Sequence, residues 1–208
     1  MELYETIEKR RTIRDLKDEP IDKKVIERIL AAGLKAPTND HMRNWEFVVI
    51  TEKEKIAEII KKIPKKFSDA RVNFIFKMWK LEDECQKTMY RDAIPKQYQM
   101  LYQNGCLILP FFKQSTPLLK PKTLSDLNGF ASIWCCVENI FLAATNEGLA
   151  CAFRIPLDQE PEYVNEILNI PKDYVMPCYI SVGYPSEDAV INSQKEYSLE
   201  DKIHMNQW

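Results

Sequence analysis

Glycine is scarce in this sequence. Only five are present (Gly33, Gly105, Gly129, Gly148 and Gly183), so neither a Gly-x-Gly-x-x-Gly turn nor a phosphate-binding P-loop can be written anywhere. A nucleotide, if one binds, is held by something other than a glycine-rich loop. The Gly-x-Ser-x-Gly elbow of the commonest hydrolases is missing as well. Histidine is scarcer still: His41 and His204 are the only two, far apart in the chain. The six cysteines contain no Cys-x-x-Cys, and the adjacent pair Cys135-Cys136 points to two sides of a helix, so a metal site is not expected. With no basic-then-apolar leader at the N-terminus, the cysteines read as reduced thiols, mostly buried as small apolar residues.

Charge of one sign is lacking too. Twenty-nine Lys and Arg stand against 31 Asp and Glu, a net charge of −2, so no global field recruits nucleic acid or an anionic membrane. Local basic sites must then serve small anions. No apolar run is expected to reach the roughly 20 residues that span a bilayer. The expected compartment is the cytoplasm, with no nucleic-acid and no membrane partner. What the chain does have is 45% hydrophobic content over 208 residues, enough for a full core, and no repeat or linker divides it. One domain over 1–208 is the expectation.

Along the chain, Leu3, Tyr4 and Ile7 predict a helix from Glu2 to Lys9 that delivers its basic end to Arg10-Arg11-Thr12-Ile13-Arg14. Three guanidinium forks and a hydroxyl within five residues can surround a single phosphate. Asp22 is the N-cap of a second helix, with Val25, Ile26, Ile29 and Leu30 inward, which Ala36-Pro37 stops. Phe47–Ile50 reads as a buried strand, and Thr51 to Glu54 as a capping box opening a helix with Ile56, Ile59, Ile60 and Ile63 on one face. The segment 67–96 is least legible, either a lid or dimer contact, or ordinary core. Cys106–Phe112 predicts a second strand, placed at an edge or bulge by Pro110. Leu124–Glu147 reads as a central buried helix, apolar nearly all round, with Gly148 as its C′ residue. A strand over 149–153, a helix over 161–168, a strand ending at Gly183 and a capped helix from Ser198 to Trp208 complete the reading. This order is not a regular βαβ alternation and favours an α+β sheet flanked by helices.

Taken in order, these stretches resemble a known family. The arginine cluster, Ala36-Pro37-Thr38, Trp45-Glu46-Phe47, Glu147-Gly148-Leu149-Ala150-Cys151, Ser181-Val182-Gly183-Tyr184-Pro185 and the tail Leu199-Glu200-Asp201-Lys202-Ile203-His204 are similar to the flavin-dependent nitroreductase family. The resemblance implies an α+β fold with a central, mostly antiparallel sheet. It also implies a homodimer with C-terminal tail exchange and FMN at the subunit interface. Arg10, Arg11, Thr12 and Arg14 would hold the phosphate and ribityl chain, with Arg14 at the ring in one arrangement. Pro37 and Thr38 would border the ring from the partner subunit, and Ile155 would offer a backbone N–H to it. His41, Arg154 and Lys195 complete the implied cofactor set, Lys195 as a phosphate ligand, and His41 and Arg43 are substrate-side candidates that in the blander alternative only order their loop. Arg43, Arg154 or Lys195 would stabilise the reduced ring.

Such enzymes need few catalytic side chains, because the flavin carries the chemistry. The implied activity is a ping-pong oxidoreductase: reducing equivalents pass from NAD(P)H through FMN to a small organic acceptor such as a nitroaromatic, quinone, enone or halogenated phenol. Two alternatives stand beside it: a protein that stores or senses FMN without turnover, and a non-flavin anion-binding or scaffold protein. The family's Asn-x-Gln-Pro-Trp is replaced here by His41-Met42-Arg43-Asn44-Trp45, which alters polar contacts to the flavin or substrate.

Overall fold

The computed structural model describes residues 1–208. The chain runs α1 (Leu3–Lys9), α2 (Lys23–Gly33), β1 (Trp45–Ile50), α3 (Lys53–Ile59), α4 (Asp69–Met78), α5 (Glu84–Ala93), α6 (Gln99–Tyr102), β2 (Cys106–Lys113), α7 (Asn128–Asn146), β3 (Ala150–Arg154), α8 (Glu160–Leu168), β4 (Tyr174–Val175) and β5 (Tyr179–Gly183), with short 3-10 turns at Leu124–Leu127 and Glu200–Lys202. The strands form one antiparallel sheet in the order β1-β2-β5-β3, with the two-residue β4 also on β2. The expected α+β fold with an antiparallel sheet between helices is present.

Apolar periodicity explains the layers. The continuous runs of β2 and β5 are buried on both faces, as strands covered by helices on each side must be. On one face α2 and α7 enclose Ile26, Ile29, Ile133, Val137 and Ile140 with Ile108 and Ile180. On the other, α3, α6 and α8 contribute Ile56, Ile59, Met100, Leu101 and Val164 against Leu107, Leu109 and Tyr179. A small third cluster, Val72, Ile75, Phe76 and Ile94, joins α4 to α5. Gly33 lets α2 approach α7: a Cβ there would stand 2.8 Å from Ile140 Cγ1.

Several sequence expectations need correction. β1 is an edge strand rather than a buried one, pairing only with β2 and leaving Val49 36% exposed. β2 is conversely central, despite Pro110. Its register with β5 covers Cys106–Ile108 and that with β4 only Phe112 and Lys113, so Pro110 falls where that side has no partner. Thr51–Glu54 forms no capping box: Glu52 is the N-cap and makes no side-chain bond. The tail forms only a 3-10 turn, and Trp208 is fully exposed.

The long helix also departs from expectation. α7 buries one face, Ser132, Ile133, Cys136, Val137, Ile140, Phe141 and Ala144, and exposes Cys135 and Glu138 on the other. Leu124–Asn146 is long and apolar enough to cross a membrane by length and composition, contrary to the reading of the sequence. Core helices pass the same test, and the buried face of α7 lies on α2 and the sheet. Gly148 ends it at φ +78°, the left-handed conformation that glycine adopts without strain.

Candidate functional site

The loop after α1 is fastened to the sheet at two points. Thr12 bridges Cys151 of β3, the Ile13 N–H donates to the Cys151 carbonyl at 3.2 Å, and Leu16, 1% exposed, bridges Pro185. The side chains of Arg10, Arg11, Thr12 and Arg14, around the first of these pins, face one cavity of about 310 Å³. Phe153 of β3, Met89 of α5 and Asn192–Gln194 of the tail complete its wall.

The cations there are only partly neutralised. Arg10 Nε lies 3.1 Å from Glu138 Oε1 without the alignment of a hydrogen bond. Arg11 Nη2 donates to the Asn192 carbonyl. Arg14 Nη1 is 3.8 Å from Asp92 Oδ2, and burial pulls its pKa below the ordinary arginine value against the charges of Asp92 and Asp15. The Nε donors of Arg10 and Arg14 are buried with no hydrogen-bond partner in the chain. Such orphaned donors are costly unless something accepts from them.

A second cavity, about 420 Å³, adjoins the first and shares Arg14, Met89 and Phe153 with it. Its character is different. Ten of its 13 lining residues are apolar, among them Phe67, Trp79, Leu157 and Ile155, and the rings of Trp79 and Tyr90 meet edge-on at 5.3 Å. The α4–α5 segment that was illegible in the sequence therefore forms one wall. Arg154, also in the lining, pairs bidentately with Glu160 at 2.7 Å and 2.7 Å, its Nη1 also donates to the Ile155 carbonyl, and the Leu157 N–H donates to Glu160. Burial pushes the Glu160 carboxyl up against the pull of Arg154.

The residues at 37–43 lie elsewhere in the same chain. Pro37 is exposed, while Thr38 and Arg43 line a separate cleft of about 40 Å³ with Gly129 and Trp45. Arg43 donates to the carbonyls of Leu34 and His41, and both His41 and Arg43 hold positive φ, 59° and 47°. None of these four lines either of the two adjoining cavities. Thr38 Oγ1 is buried without a partner.

Residues 7–184 match the profile of the nitroreductase family. The chain belongs to the nitroreductase family. Among curated relatives, it is 26% identical over 208 residues to the iodotyrosine deiodinase of Nematostella vectensis, covering 96% of this chain and 73% of that one. It is 29% identical over 202 residues to iodotyrosine deiodinase 1 of Rattus norvegicus, covering 96% and 67%. In fold it is similar to oxidized iodotyrosine deiodinase bound to FMN and 3-iodo-L-tyrosine, with a TM-score of 0.75, 19% identity and full coverage of both chains. An FMN-dependent nitroreductase from Clostridium difficile R20291 superposes with a TM-score of 0.63, 23% identity and 98% coverage of each chain.

Two cations that the nitroreductase resemblance assigned to the cofactor carry carboxylate partners in this chain. Arg154 is 6% exposed and neutralised by Glu160, while Lys195 pairs with Asp83 at 2.6 Å outside the arginine cavity. Its neighbours Asn192, Ser193 and Gln194 occupy that wall instead. Sequence reasoning missed them because the segment carries neither periodicity nor a motif. It also missed Met89 and Phe153, which look like ordinary core residues until the two cavities are seen to meet at them.

Proposed function

We propose that this chain is an FMN-dependent oxidoreductase that passes reducing equivalents from NAD(P)H to a small aromatic acceptor. The observation that carries the reading is the junction of a basic cavity with an apolar one through Arg14, Met89 and Phe153. A phosphate monoester joined through a polar chain to a flat ring system has the same two-part character. The three guanidinium groups of Arg10, Arg11 and Arg14 that line the basic cavity fit a phosphate-bearing ligand, whose oxygens accept from such groups. Bound FMN would supply the two-electron chemistry.

The chain's own residues would then do the following. Arg10 and Arg11 neutralise the phosphate, Thr12 offers a hydroxyl, and Arg14 holds positive charge at the mouth of the apolar cavity. Phe67, Trp79 and Tyr90 exclude water and offer faces on which an aromatic acceptor stacks. The buried Arg154–Glu160 pair fixes the Ile155–Leu157 turn beside it. The deiodinase relatives favour a halogenated phenol among the acceptors, beside nitroaromatics and quinones. A homodimer, in which Pro37, Thr38 and residues 196–208 reach the partner's site, accounts for the placement of these residues away from the two cavities of their own chain.

The test is an absorbance spectrum of protein purified with excess FMN, recorded before and after anaerobic NADH or NADPH. A yellow protein that bleaches supports the oxidoreductase. One that stays yellow is the FMN-storing or sensing alternative, and a colourless protein contradicts the flavin reading altogether.

A further inference from the structure

Arg14 does not stand alone behind the two cavities. Lys96, just beyond α5, places its ammonium 2.5 Å from Asp92 Oδ1 and 2.6 Å from Asp15 Oδ2, and Asp92 Oδ2 faces Arg14 at 3.8 Å. All four side chains are largely withdrawn from solvent, between 13% and 21% exposed. Two cations and two carboxylates leave the quartet neutral. Three parts of the fold meet on its carboxylates: Asp92 belongs to α5, Asp15 to the loop after α1, and the tail donates to both, Asn192 to Asp92 at 3.0 Å and the Val190 N–H to Asp15 at 3.1 Å. Burial pulls the Lys96 ammonium down, but its hydrogen bonds to Asp15 and Asp92 outweigh that and leave its pKa raised.

Only one member of the quartet, Arg14, reaches the cavities. We propose that Asp92 is a positioning residue for the site: with Lys96 and Asp15 behind it, it orients the Arg14 guanidinium at the junction of the two cavities and sets how much positive charge Arg14 presents there. The inference rests on the flavin reading above. In a site of low effective dielectric a counter-charge this close damps the field of the arginine strongly. A buried cation left uncompensated beside a redox-active ring favours its reduced, negatively charged form.

Changing the balance from either side should therefore move the ring's reduction potential in opposite directions. Asp92→Asn removes one negative charge and leaves net positive charge behind the junction. Lys96→Met removes one positive charge and leaves net negative. The measurement is the midpoint potential of bound FMN by anaerobic spectrophotometric titration in wild type, Asp92→Asn and Lys96→Met, repeated in an Arg14→Ala background. The expected result is a more positive potential for Asp92→Asn, a more negative one for Lys96→Met, and a much smaller effect of Asp92→Asn once Arg14 is gone. A merely structural role would loosen the site in both variants alike and could not give opposite signs. If Asp92→Asn does not fold, Lys96→Met still tests the sign. Wild type and variants with FMN bound at one common potential would overturn this inference while leaving the flavin reading intact. A wild type that takes up no FMN overturns both.

Discussion

Arg154 and Glu160 face each other as a two-pronged ion pair, both prongs at 2.7 Å, with neither side chain more than 7% exposed. Removing one partner leaves the other charge buried alone. Arg154→Met or Glu160→Gln is expected to cost about 3–5 kcal/mol of unfolding free energy, and the double substitution to two apolar residues to cost much less. Urea denaturation of the three variants checks this. A double variant that loses the sum of the two single losses would show that the pair is not coupled.

Gly33 sets the spacing of the two helices on one side of the sheet. A Cβ there would meet Ile140 Cγ1 at 2.8 Å and Cys136 Sγ at 3.1 Å. Both atoms belong to fully buried side chains, so Gly33→Ala should destabilise the fold by about 1–3 kcal/mol although alanine is the better helix former. A stabilised variant by thermal or urea unfolding would mean that α7 shifts freely.

The thiols sort by depth. Burial pushes Cys106 and Cys136 up to about 12 and raises Cys151 and Cys178 as well, which leaves them protonated and inert near neutral pH. Only Cys85 and Cys135 have exposure to solvent. With a chromogenic disulfide at pH 8, no more than these two should react in the native protein, and the four buried thiols only on unfolding. Rapid reaction of a third thiol would contradict the packing of α7 on the sheet.

Much of the fold was legible because its signals are local. Asp22 caps α2 as its sequence position suggested, donating partner and all, and the isoleucine stripe of α3 faces inward at 3.6-residue spacing. The arginine cluster was legible for the same reason, as five adjacent residues. Pro110 misled because strand position depends on where distant partners end, and no local pattern records that β4 and β5 leave a gap opposite it. The ion pair of Lys195 was not legible because its neighbour in space, Asp83, lies more than 100 positions away in the chain. The apolar cavity was illegible for a related reason: it takes residues from α4, α5 and the end of β3 together.

Apolar side chains left exposed predict the assembly. Leu3, Tyr4 and Ile7 on α1 and Tyr197, Leu199, Ile203, Met205 and Trp208 in the tail are each about half exposed or more. Light scattering should give twice the chain mass at micromolar concentration, and removal of residues 196–208 should shift the population toward monomer. A monomeric full-length chain would contradict a flavin site shared between subunits.

In the proposed flavin site the arginines after α1 grip a phosphate. The most direct measurement is fluorescence titration of wild type and Arg11→Ala with FMN and with riboflavin, which lacks the phosphate. Arg11→Ala should weaken FMN binding by about 1.5–3 kcal/mol, some tenfold to a hundredfold, and barely change riboflavin binding. Equal FMN affinities for the two proteins would contradict the phosphate assignment, and an equal loss for both flavins would place Arg11 at the ring or in the fold instead.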